Sequence, residues 1–268
     1  MGWAMASNLA KAGFVVQGYD VVASRRRTVT AIADIDAPVV ITSLPSAEAL
    51  HAVARELKHE CVVMETSTLP IEEKVLVKDI LRKKSIVMLD CPLSGTGAQA
   101  RVKDLVVYAS GERKAFLKVK PYLPGFSRAH YYVGEFGNGS KMKFVANLMV
   151  AIHNVSAAEA FVLGMKAGLA PKDIFEVQAN SAGSSRMFQV RGPMMVAGNY
   201  DEATMKNEVW QKDMKIIGEF AARLGVPTPL FSASSQVYKA AMAQGFALKD
   251  TGAVCAVLER LSGVRRRR

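Results

Sequence analysis

Lys143 and Asn147, four residues apart, carry the most reactive pairing in this sequence. A lysine amine whose proton affinity is lowered by burial or positive neighbours can take a proton from a hydroxyl or return one to a carbonyl. A separation of four puts both side chains on one helix face. There Asn147 could hold a hydroxyl or a carboxylate. Composition alone favours a solvated helix lysine, and Lys141, in Lys-Met-Lys, competes for the role.

Other residue patterns point to ligand-holding turns. Ser94-Gly95-Thr96-Gly97 follows an apolar run and sets two glycines among two hydroxyls. Consecutive backbone N–H groups in such a loop suit a carboxylate; a plain tight turn is the alternative. Leu44-Pro45 and Ser67-Thr68 each follow a further apolar run. Ligands in open α/β sheets gather beyond such strand ends, although Ser and Thr are common in turns anyway. Gly2 opens a helical pattern, and Asp20 closes the apolar run beginning at Phe14. A glycine-rich turn lets backbone approach a pyrophosphate at a helix N-terminus, and Gly2 matches only its last glycine, which allows close helix–strand packing. An acid at the strand end accepts from a ribose 2′-hydroxyl and repels a 2′-phosphate, which favours NAD over NADP. Arg25-Arg26-Arg27 argues the other way, and a turn role for Asp20 is the alternative.

These residues need a scaffold of alternating elements. Continuous β-branched runs predict strands at 15–20, 39–44, 62–65, 86–90, 105–110 and 131–133, buried on both faces as in a parallel sheet. Ser46 and Pro70 open helices between them. Strand–helix alternation predicts a doubly wound, mostly parallel α/β sheet. The pattern changes at 134–141, where three glycines punctuate eight residues. An uninterrupted helical pattern follows over 141–166, about 39 Å long at 1.5 Å per residue. Further helices are expected at 171–180, 204–224, 232–244 and 253–261. The chain therefore divides into an α/β domain at 1–134, an all-helical domain at 135–263 and a basic tail at 264–268.

Composition narrows the class. The 268 residues carry a net charge of +11, with arginine clusters at 25–27 and 265–268 and Lys84 near Arg82. Without interleaved aromatics or a nucleic-acid motif, these basic residues read as solvated loops and a disordered tail rather than an RNA or DNA arm. Three scattered cysteines and no Cys/His cluster exclude a disulfide framework and predict no metal site. A reducing, cytoplasmic setting follows, or a mitochondrial one if a leader precedes Met1. No apolar run approaches the roughly 20 residues of a membrane span. His51, His59, His130 and His153 fit no motif.

Five segments in order give the chain a family resemblance: 1–20, "ITSLPS" with "ETSTLP", "DCPLSGTGAQA", "GNGSKMKFVANLMVAIHNVSAAEA" and "QKDMKIIGEFAARLGVPTP". The sequence resembles the β-hydroxyacid dehydrogenases, the 3-hydroxyisobutyrate dehydrogenase group that is related to 6-phosphogluconate dehydrogenase. The resemblance implies a Rossmann domain followed by a helical domain that dimerises. It implies hydride transfer between NAD, or secondarily NADP, and a small β-hydroxy acid or its semialdehyde. Gly137, Gly139, Lys143 and Asn147 match the family's GxGxxxKxxxN, which selects Lys143 over Lys141 as the general acid/base. Ser94, Gly95 and Thr96 would hold the substrate carboxylate, with Leu93 and Thr96 departing from Val and Gly. Gly2, Asp20, Leu44, Pro45 and Thr68 would line the cofactor, and Lys212, beside Asp213, would approach the nicotinamide and substrate from the opposite side. Asn154, Asn180, Ser184 and Ser185 are weaker pocket-wall candidates.

Departures from the family concentrate near the start. The first strand and two fingerprint glycines are missing, 20–44 is too short for a full crossover helix, and 54–60 looks trimmed. On this reading the chain is a fragment or an incomplete gene model, expected to bind dinucleotide weakly. The competing function is a cofactor-deficient, non-catalytic dimeric scaffold that contacts nucleic acid through its arginines. An imine reductase shares the architecture, but Lys143 counts against it.

Overall fold

The computed structural model describes residues 1–26 and 28–266; Arg27, Arg267 and Arg268, from the two arginine clusters, lie outside them. The first unit, Met1–Phe144, begins with α1 (Gly2–Lys11). There follow β1 (Val39–Thr42), α2 (Ala47–Glu56), β2 (Val62–Glu65), α3 (Ile71–Arg82) and β3 (Val87–Asp90). Next come β4 (Leu93–Ser94), α4 (Gly97–Arg101), β5 (Val106–Ala109), α5 (Arg113–Val119) and β6 (Ala129–Tyr132). β1, β2 and β3 pair in parallel, with Val62 opposite both Val39 and Val87. β4 and β6 flank β5, antiparallel and parallel respectively. A single antiparallel bridge between Asp90 and Ser110 joins the two three-stranded groups. The mostly parallel α/β reading holds, with β4 and β5 turned against each other.

Side-chain alternation explains why the strands read as unbroken apolar runs. Val62, Met64 and Leu89 pack into a core with Met5, Leu9 and Phe116. Val63 and Met88 point the other way, against Leu50, Val77 and Leu81. Successive strand residues face opposite sides, so a sheet covered on both faces needs apolar residues at every position.

The strand expected at 15–20 is not formed. Gly18 makes one isolated bridge to Thr28, and Val15 is 98% exposed. A strand exists by laddering, and a single bridge does not hold a ladder. Between Asp20 and Val39 the described chain forms only two short 3₁₀ turns, at Ala23–Arg25 and Ile32–Asp34, in line with the cramped crossover. Lys84 is also not a solvated charge. Its Nζ donates to the carbonyls of Ala54, Arg55 and Leu57 at 2.8, 2.7 and 3.1 Å, closing the end of α2.

α6 (Asn138–Lys166) begins in the first unit and continues into the second, Val145–Arg268. The compact-unit boundary thus falls ten residues beyond the change in sequence pattern at 134. The second unit adds α7 (Pro171–Gln178), α8 (Arg186–Ala197), α9 (Asn207–Arg223), α10 (Pro229–Ala243) and α11 (Val254–Leu261). Its core includes a stack of Phe161, Phe188 and Phe175, with centroids 5.4 and 5.8 Å apart. By length and composition alone α6 is apolar enough to cross a membrane, contrary to the expectation from apolar runs. Ala151, Val155, Ala158, Phe161 and Val162 on this helix are buried.

α8 was not anticipated, because Gly192 and Pro193 interrupt its pattern. The tail, expected to be disordered, is fastened at Arg266. Its guanidinium donates to the carbonyls of Met195 and Val196 at 2.6 and 2.9 Å and pairs with Glu259 at 2.6 Å. Carbonyls left open at the end of α8 attract such a cation.

Candidate functional site

Within the first unit, the predicted ligand segments converge on a buried charge cluster. Glu65 and Asp90 end β2 and β3 and are partners in register. Lys74, on α3, reaches between them: its Nζ lies 2.6 Å from Glu65 Oε2, 2.8 Å from Asp90 Oδ1 and 2.7 Å from the Ser67 carbonyl. All three ionic side chains are fully buried. Burial alone would lower the proton affinity of Lys74; Asp90 and Glu65 outweigh it and hold the ammonium above its ordinary range. Ser67 donates its N–H to Glu65 Oε1 at 2.8 Å, and its Oγ accepts the N–H of Leu44 at 2.7 Å. The segments after β1, β2 and β3 are therefore tied together.

Asp90 also anchors the start of α6. Its Oδ2 accepts the Ser140 N–H at 2.7 Å, and its Oδ1 accepts the Ser140 hydroxyl at 2.8 Å. A carboxylate at a helix N-terminus satisfies open N–H groups and opposes the positive end of the dipole. Ser110 Oγ takes the N–H of Gly139 at 2.9 Å. A Cβ on Gly139 would lie 2.4 Å from the Tyr108 carbonyl and 2.7 Å from that of Asp90. Glycine is required for the helix to sit this close to the strand ends.

Lys143 lies three residues beyond Ser140 and is buried, at 8% exposure. Lys141 is exposed and donates to its neighbour Asn138 at 3.1 Å. The structure thus separates the two lysines that composition could not. Asn147, a turn further along α6, is buried and donates Nδ2 to Asp213 Oδ2 at 2.9 Å. Lys212 lies 3.7 Å from Asp213 Oδ1 and is partly exposed.

The loop after β3 carries the three residues expected to hold a carboxylate. Ser94 is partly exposed at the end of β4. Gly95 has φ +134°, and a Cβ there would meet Leu105 Cδ2 at 2.7 Å. Thr96 caps the next helix. Its Oγ1 accepts the Gln99 N–H, while Gln99 Oε1 accepts the Thr96 N–H at 3.0 Å, forming a capping box on α4. The N–H expected to face a carboxylate is thereby engaged, leaving Ser94 and Gly95.

The cofactor candidates divide similarly. Gly2 sits at the start of α1, where a Cβ would lie 3.6 Å from that of Ser43, just past β1. The α1 N-terminus has no side-chain cap and lies at the carboxyl end of the parallel strands, a position that fits a dinucleotide phosphate. Pro45 and Thr68 occupy the turns after β1 and β2. Asp20 Oδ1 accepts the Val22 N–H at 2.8 Å, so the turn role is real for that oxygen. Arg26 stacks 4.9 Å over Tyr19 and donates Nε to the Asp20 carbonyl at 2.9 Å. A cation thus stands beside the acid proposed to reject a 2′-phosphate.

The weaker candidates are structural or capping groups. Asn154 is fully buried and donates to the Tyr238 hydroxyl at 3.1 Å. Ser185 caps α8 through the Phe188 N–H. Asn180 and Ser184 make local contacts with Glu176 and Gln189. His51 pairs with Glu73 at 2.8 Å. The sequence reading overlooked Glu65, Lys74, Asp90, Ser110 and Ser140. A signal existed: both "VVME" and "VMLD" end an apolar strand on an acid, and adjacent buried acids require a cation. Among the described residues no His/Cys/Asp/Glu group could hold a metal ion.

Comparisons with known proteins agree with this layout. A family model described as the NAD binding domain of 6-phosphogluconate dehydrogenase matches residues 1–134. One described as NAD-binding of NADP-dependent 3-hydroxyisobutyrate dehydrogenase matches residues 137–258. The chain is 34% identical to an L-threonate dehydrogenase of Pectobacterium atrosepticum over 203 residues, 75% of this chain and 66% of that protein. It is 26% identical to a 2-(hydroxymethyl)glutarate dehydrogenase of Eubacterium barkeri, covering 98% of this chain and 93% of the relative. A crystal structure of a 3-hydroxyisobutyrate dehydrogenase from Salmonella typhimurium superposes with TM-score 0.85 at 25% identity, covering 96% and 95% of the two chains.

Proposed function

This chain belongs to the β-hydroxyacid dehydrogenase family, and on that premise we propose that it oxidises a small β-hydroxy acid, or reduces the matching carbonyl acid. NAD(P) supplies or accepts the hydride when bound. Gly2, Leu44, Pro45, Thr68 and Lys212 are the residues assigned to hold it, with Asp20 and Arg26 at the ribose end. Ser94 and Gly95 hold the substrate carboxylate, with Thr96 shaping the loop through its cap. Asn147 orients the substrate hydroxyl. Lys143 takes the hydroxyl proton during oxidation and returns it during reduction.

The observation that carries this reading is the burial of Lys143 one turn from Asn147, while Lys141 beside it is exposed. A bare scaffold has no need to bury that lysine. The relatives' names favour a polyhydroxy or branched short-chain acid, so L-threonate and 3-hydroxyisobutyrate are the first substrates to assay. Lys143→Ala is expected to lower turnover by about 10²–10⁴-fold, measured by NAD(P)H absorbance. Near wild-type turnover would remove Lys143 from the mechanism.

The chain is proposed to act as a homodimer. Met142, Val145 and Met149 form an exposed apolar stripe along α6, at 44, 57 and 50% exposure. A second copy would cover it. Light scattering at micromolar concentration should give twice the 29.0 kDa chain mass.

A further inference from the structure

We infer that Asp90, clamped by Lys74, is a positioning residue that sets the placement of Lys143 through Ser140. This rests on the proposed role of Lys143. Asp90 stands where two site segments meet: four residues later the chain becomes the Ser94 loop, and across the strand end the carboxylate holds the first turn of α6. Three donors converge on it at 2.7–2.8 Å: Lys74 Nζ, the Ser140 N–H and the Ser140 hydroxyl. Ser110 Oγ adds a weaker contact at 3.3 Å. The cluster has no exposed surface at Glu65, Lys74 or Asp90. It therefore contacts no ligand from solvent and acts through what it holds.

The Lys74 ammonium fixes Oδ1 of Asp90 directly and Oδ2 through it. Oδ1 serves Lys74 and the Ser140 hydroxyl, which leaves Oδ2 facing the Ser140 N–H. Rotation of the carboxylate would break all of these bonds together. Gly139 adds a steric stop, because the helix backbone already rests on the Tyr108 and Asp90 carbonyls. From Ser140 to Lys143 is less than one helical turn, too short for the backbone to absorb a shift. A misplacement of about 1 Å at a catalytic group can cost about 10²-fold in rate, so a rigid mounting has a direct chemical consequence.

Ser140→Ala tests this gently, since it removes one hydroxyl and keeps the N–H bond. In the full chain, Lys143 is labelled with acetic anhydride across pH and quantified by peptide mass spectrometry. This readout needs neither substrate nor cofactor. Ser140→Ala is expected to change the labelling rate of Lys143 about threefold or more, with exposed Lys118 unchanged and Tm held within about 3 °C. An unchanged Lys143 rate overturns the inference. Turnover of L-threonate and 3-hydroxyisobutyrate supplies the second arm. Ser140→Ala should lower kcat about tenfold at constant cofactor KM, and should add little in a Lys143→Ala background. Full additivity of the two losses overturns positioning while leaving Lys143 catalytic. An active Lys143→Ala protein instead overturns the catalytic reading.

Discussion

Asn147 donates its Nδ2 to Asp213 Oδ2 across 2.9 Å, with both side chains buried. A carboxylate only accepts, so the amide nitrogen must face it, and the orientation of Asn147 is decided. Under the proposed function, Oδ1 is the atom that Asn147 offers to the substrate hydroxyl. Of the lysine–aspartate pair noted in the sequence, Asp213 orients the Asn147 amide, while Lys212 remains partly exposed.

Asp213→Ala should uncouple that orientation. We expect kcat/KM to fall about tenfold or more, together with about 1–3 kcal/mol of stability from the unpaired buried amide. Steady-state kinetics with urea unfolding separates the two effects. Wild-type kinetics in the mutant would remove Asp213 from the site.

Lys74→Met should be severe. Two buried carboxylates would lose their shared cation, and breaking such a pair from one side costs about 3–5 kcal/mol. The urea midpoint of the full chain checks this. Lys74→Met with an unchanged midpoint would mean that the cluster contributes no stability.

Gly139→Ala probes the seat of α6 without touching a charge. Its Cβ would approach the Tyr108 carbonyl at 2.4 Å, so the helix start must move. Overpacking of this kind costs about 1–3 kcal/mol. Circular dichroism melting should show a lower Tm, and turnover should fall further than in Lys118→Ala, an exposed control.

Acid stability should depend on Asp250 in the helical unit. Burial alone would push its carboxyl up. Arg191, 3.0 Å away, and donors from Gly252, Thr204 and Met205 prevail and hold it below the usual carboxylate value. A depressed folded pKa adds stability above the unfolded value of about 3.9, which is lost as pH falls through the folded value. Urea unfolding at pH 7 and pH 3 should show a loss that is smaller in Asp250→Asn. An equal loss in the mutant would assign acid sensitivity to other groups.

The sequence revealed most where burial is two-sided or a turn has strict geometry. β2 appears at its expected limits because Val62 to Met64 are apolar on both faces. That Lys143 and Asn147 share one helix was readable from their spacing, and both are buried there. Asp213's hold on Asn147 was not, since 66 residues separate them. The 15–20 run looked like a strand because composition reports propensity, while strand formation depends on a neighbour to ladder with. The capping box between Thr96 and Gln99 was overlooked, although its Thr-x-x-Gln signature was already in the sequence. Pro193 hid α8 for the opposite reason, since tertiary packing around Phe188 and Met195 outweighs its local penalty.

The cap on α4 extends outward to the molecular surface. Gln99 Oε1 holds the Thr96 N–H, Gln99 Nε2 donates to Asp104 at 2.9 Å, and Asp104 pairs with the largely exposed Arg128 at 2.7 Å. If the Ser94 loop holds the substrate as proposed, substrate range in this protein has a handle on its outside. Laboratory evolution towards a bulkier acid could begin at Arg128 and Asp104, relaxing the loop by degrees while the residues that perform the chemistry stay untouched.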